Sequence, residues 1–100
     1  MNPESRKMIG QEAAEMIALR SLTWLLGQDE VLTRFLAETG ASVSDLATAA
    51  RQPEFLGAMM DFIMSQDDWI IAASEAVGLP PEKWVRARSG LPGGAVPDWT

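Results

Sequence analysis

The sequence predicts an all-α fold: a compact bundle of about five to six short helices with an irregular C-terminal tail. Three observations carry this expectation. Strand signals are nearly missing, since Tyr is absent, Val and Thr are scattered, and no stretch of six residues alternates apolar with polar side chains. Glycine, proline and short polar residues punctuate the chain at helix-length intervals. Between those marks, apolar residues recur at three- and four-residue spacing.

The first helix is expected from Pro3 or Gln11 through EAAEMIALRSLTWLL, with Gly27 closing it. At 100° per residue, Ile9, Ala13, Met16, Ile17 and Trp24 share one broad apolar face, with Arg20 embedded in it one turn before Trp24. Asp29 opens EVLTRFLAET, where Val31, Leu32, Phe35 and Leu36 form a stripe and Gly40 marks the end. Ser42-Val43-Ser44-Asp45 has the S-x-x-D form of a helix start and leads a short third helix.

Pro53 suits a first helical position and opens PEFLGAMMDFIMSQ. Leu56, Met59, Met60 and Ile63 line one side, Phe55, Phe62 and Met64 widen it, and Asp61 alone interrupts. A helix apolar over most of its circumference belongs at the centre of a fold. Ser65 or Asp67 caps the fifth helix, DWIIAASEAV, which Gly78 ends; Pro81-Glu82 begins a sixth that runs to Gly90. Residues 1–90 therefore make one helical domain. The Pro- and Gly-rich tail 91–100, LPGGAVPDWT, is expected to dock on it through Trp99, because Pro92 and Pro97 lower the entropy lost on docking. Trp69, Trp84 and Trp99 are evenly spaced, but the segments between them do not align, so no repeat is inferred.

Composition narrows the function. One hundred residues, 47% of them hydrophobic, suffice for a single core without staples. Cysteine is absent, which removes disulfides and thiol nucleophiles. Histidine is absent too, so the commonest general base near neutral pH is missing and no Ser or Cys triad can be assembled. Lys7 and Lys83 sit in polar surroundings that do not depress an amine pKa. The acidic pairs Asp29-Glu30 and Asp67-Asp68 stand at helix starts, where a carboxylate complements the dipole. The chain is expected not to be an enzyme, and neither cofactor nor metal is expected. A net charge of −6 disfavours nucleic acid as a general partner. No apolar run approaches the roughly 20 residues needed to span a bilayer, so a soluble cytoplasmic protein is expected.

Two surfaces and one charge pair remain as candidates. Met59, Met60 and Met64 could line an adaptable groove for a partner's helix, with Trp99 as a second contact, although the same methionines suit a core. The segment AASEAVGLPPEKWVRAR (72–88) has helix-turn-helix spacing, and Lys83, Arg86 and Arg88 would then be nucleic-acid contacts of residues 72–89. Asp61 and Arg20, each set among apolar neighbours, could pair inside the bundle; otherwise Arg20 lies along Trp24 and Asp61 reaches solvent. The leading expectation is a protein–protein interaction module binding another protein or a second copy of itself, with nucleic-acid binding as the alternative.

LRSLTWLLGQDEVLTRFLAETG (19–40), PEFLGAMMDFIMSQDDWIIAASEAVGLPPE (53–82) and the terminal LPGG with Trp99 together resemble a family of short uncharacterised bacterial proteins, mainly alphaproteobacterial, of unknown function. The resemblance covers nearly the whole chain and rests on helix order and apolar pattern. It implies a small stand-alone cytoplasmic helical protein and brings no catalytic residue, ligand or mechanism.

Overall fold

The helices follow the order the sequence marks. Gln28 and Gln66, not Asp29, Ser65 or Asp67, precede the second and fifth helices, and the segment expected to start the sixth helix at Pro81 is a 3-10 turn. The computed structural model describes residues 10–92. Within them run α1 (Gln11–Leu26), α2 (Asp29–Thr39), α3 (Val43–Ala49), α4 (Pro53–Met64), α5 (Asp67–Val77), a 3-10 turn (Pro81–Lys83) and α6 (Trp84–Ser89). No strand occurs among the described residues. Gly40 and Gly78 sit at φ of 75° and 74°, and their N–H groups donate to the carbonyls of Leu36 and Ser74 at 2.8 and 2.9 Å. That left-handed closure strains any residue with a Cβ, which is why glycine stands there. Asp29 and Asp67-Asp68 occupy first turns, while Gln28 and Gln66 are the residues before them.

Helix α3 starts at Ser42, whose N–H donates to Asp45 Oδ2 at 3.0 Å and whose hydroxyl donates to the same oxygen at 2.9 Å. The backbone bond first, and the hydroxyl second, hold the Asp45 carboxyl below the usual carboxylate range. A depressed folded-state pKa contributes stability above the unfolded value and loses it as pH falls through the folded value. The start of α3 is therefore expected to open on acidification below about pH 4. Following the Ser42 amide by NMR through an acid titration checks this, and Asp45→Asn is expected to abolish the pH dependence of that amide.

The core forms between α1 and α4, with α5 packed along α1 and α6 closing over both. Leu25, Leu56, Met59, Met60 and Ile63 are fully buried there, together with Phe35 from α2 and Trp84 from α6. An aromatic series joins the helices on one flank. Phe35 meets Phe55 and Phe62 edge-on at 5.8 and 5.1 Å, and Phe62 stacks on Trp69 at 4.8 Å. The guanidinium of Arg34 lies 5.8 Å from the Trp69 ring centre, so α2 reaches α5 directly by a cation–π contact and indirectly through Phe62 of α4. Helices this short are marginal alone and persist through such contacts. No helix among the described residues is long and apolar enough to cross a membrane.

Candidate functional site

Helix α1 carries apolar residues on two faces, and only one enters the core. The buried face is Ala14, Ala18, Ser21, Leu22 and Leu25. Three of these five side chains are small, which lets α4 and α5 approach closely. The Ser21 hydroxyl is buried yet satisfied, because it donates to the Ile17 carbonyl at 2.8 Å. The broad face inferred from periodicity overlaps the core only at its edge, where Ile17 and Trp24 pack against the buried cluster. Ala13 and Met16 are exposed, Ile17 and Trp24 are half-buried, and Ile9 lies outside the described residues. Periodicity identifies apolar stripes but cannot choose between two of them; the close packing of three central helices selects the stripe with the small side chains.

On the side opposite the core stand Met16, Leu19 and Leu26, exposed to 55%, 42% and 42%. Thr23 continues the line between Leu19 and Leu26, and its hydroxyl turns back to donate to the Leu19 carbonyl at 3.0 Å. The outer stripe thus runs Met16, Leu19, Thr23, Leu26, spaced three, four and three residues apart. Glu12 precedes it by one turn. Glu15 borders one side, accepting a hydrogen bond from Gln11 Nε2 at 2.8 Å, and exposed Arg20 borders the other. A solvent-facing helix surface is ordinarily charged and polar; this one presents three large apolar side chains in register.

The other candidates occupy less accessible places. Met59 and Met60 have no exposed surface and Met64 is half-buried. The methionine-rich helix is therefore core filling, and its groove is corrected away, because α1 and α6 lie where a partner would have to sit. Trp99 and residues 93–100 lie outside the described residues; Leu91 is buried among the core residues.

Arg88 is likewise withdrawn from the surface. Its Nε donates to Asp61 Oδ1 at 2.8 Å and its Nη2 to Asp61 Oδ2 at 3.1 Å, while Nη1 donates to the carbonyls of Pro92 and Leu91 at 3.1 and 3.4 Å. Asp61 thus pairs with Arg88 rather than with Arg20, which is exposed. The guanidinium also lies over Gly57, where a Cβ would stand only 2.8 Å from Nη1. That contact explains a glycine inside a helix. One side chain ties α4, α6 and the start of the tail together.

Lys83 and Arg86 remain exposed, but they stand on a 3-10 turn and on the six-residue α6, respectively. Its Trp84 is 1% exposed and donates from Nε1 to the Ser74 hydroxyl oxygen at 2.7 Å. The segment 72–89 is therefore a core-forming hairpin of helices whose only two outward cations are Lys83 and Arg86. A cleft of about 320 Å³ lies between Ile71 and Glu75 of α5 and the Leu79-Pro80-Pro81 turn.

Leu19 and Leu26 escaped the sequence reading. Their signal was the heptad-like spacing with Met16 and Thr23, visible once the core face of α1 is known. No curated protein and no solved structure matches the chain. The model of one family, described as "Protein of unknown function (DUF3572)", matches residues 11–94, and the chain belongs to that family.

Proposed function

We propose that this protein is a cytoplasmic interaction module that binds another polypeptide helix on the outer stripe of α1. The observation that carries the reading is the placement of Met16, Leu19 and Leu26 on the solvent side of the helix that also forms the centre of the core. A helix already rigidified by the bundle presents such a surface without further ordering cost, which favours binding of an amphipathic partner helix. Catalysis has no role in this reading, since the chain holds neither histidine nor cysteine, and it needs no cofactor. The nucleic-acid alternative loses Arg88 to Asp61 and retains only Lys83 and Arg86 as outward cations of the segment.

Site-specific photocrosslinking in the native cells tests the reading. A benzophenone side chain in place of Leu19 is expected to give a discrete polypeptide adduct, and the same group in place of exposed Thr48 on α3 is expected to give none. Equal labelling at both positions, or none at Leu19, contradicts it.

A further inference from the structure

We infer that the polypeptide met by the outer stripe of α1 is a second copy of this chain, paired in parallel so that α1 lies along α1 of the other protomer. This rests on the interaction-module reading and specifies its partner. The stripe Met16, Leu19, Thr23, Leu26 occupies successive a, d, a, d positions of a heptad, the spacing with which two helices interlock side chains along a shared seam. In that frame Glu15 falls at the g position and Arg20 at the following e position, five residues on. A parallel pair brings each g residue beside the e residue five positions later on the other helix. Glu15 of one copy then meets Arg20 of the second copy, twice per dimer by symmetry.

Charge selects the orientation. An antiparallel pair centred on the same stripe sets e against e, placing Arg20 near Arg20 of the second copy, and leaves Glu15 without a cation. Among the described residues the single ion pair is that of Arg88 with Asp61, so no described residue forms an ion pair with Glu15 or Arg20. Glu12, one turn before Met16, would meet its own copy and ends the seam. Four interlocking positions on a 16-residue helix make a small interface, below the size of a standard stable complex. A dissociation constant on the order of 1–100 µM is therefore expected.

Sedimentation equilibrium of the purified full-length chain over that range reads the result. Wild type is expected to move reversibly from monomer to dimer. Leu19→Asp, at an exposed position and with unchanged helicity, is expected to weaken association at least about 100-fold, since it sets two carboxylates against each other in an apolar seam. Glu15→Arg and Arg20→Glu are each expected to weaken it about fivefold, and the double exchange to restore it to within about twofold. Failure of the double exchange to restore association overturns the parallel pairing. A strictly monomeric wild type overturns the self-pairing altogether. If the Leu19 photocrosslink then yields an adduct with a different polypeptide, the module reading stands without its self-partner; if it yields nothing, both fall.

Discussion

Trp84→Ala is expected to remove most of the domain's stability. Among the described residues Trp84 is the largest fully buried side chain, 1% exposed, and it holds α6 to Ser74 of α5 in the core. Truncating a buried Trp to Ala costs about 3–5 kcal/mol through lost burial and the residual cavity. Domains of this size have about 5–15 kcal/mol in total. Ser74→Ala is expected to cost less, about 1–3 kcal/mol, because it leaves the buried indole N–H without its acceptor while the packing stays. Urea unfolding followed by far-UV circular dichroism gives both values. A Trp84→Ala variant within about 1 kcal/mol of wild type would contradict a buried anchor and return residues 72–89 to consideration as an outward recognition element.

The second large effect is a change of sign. Gly57→Ala in the wild-type chain is expected to destabilise by about 1–2 kcal/mol, since the new methyl displaces the Arg88 guanidinium from Asp61 and from the carbonyls of Leu91 and Pro92. In an Arg88→Ala background the obstacle is gone. There the same substitution is expected to stabilise by up to about 1 kcal/mol, the ordinary gain of alanine over glycine inside a helix. The double-mutant cycle therefore has a coupling of about 1–3 kcal/mol between residues 31 positions apart in sequence. Equal effects of Gly57→Ala in the two backgrounds would contradict the close approach of Arg88.

These two expectations show where the sequence was informative and where it was silent. Helix boundaries were legible because they are local chemistry: Gly40, Gly78, Pro53 and the Ser42–Asp45 start act within one turn of themselves. The central place of α4 was legible from its nearly continuous apolar circumference. The pairing of Arg88 with Asp61 spans 27 residues and has no local signal; of the two expectations for Asp61, exposure to solvent holds and pairing with Arg20 does not. Gly57 was its sequence trace, a helix-interior glycine marking a close neighbour. Met59 and Met60 suit a groove and a core equally by type, and packing alone decided for the core.

The outer face of α1 was hidden for a different reason. A 16-residue helix with apolar residues around most of its circumference offers several stripes, and only the tertiary structure reveals that Ala14, Ala18 and Ser21 form the inner one. Once that is fixed, the remaining line of Met16, Leu19, Thr23 and Leu26 is left for a partner. The acidic composition fits this division: the charges on α1 are few, and two of them, Glu15 and Arg20, flank the stripe with opposite sign.

The native chain contains no cysteine, so a single engineered thiol reports on this surface without interference. Thr23→Cys lies at an a position, where a parallel pair sets it against its own copy within disulfide reach. Mild oxidation of the purified variant at about 50 µM, near the middle of the expected association range, is expected to yield a disulfide-linked dimer in high proportion, with Thr48→Cys on exposed α3 remaining largely monomeric. Equal, slow cross-linking of the two variants would contradict a seam along α1.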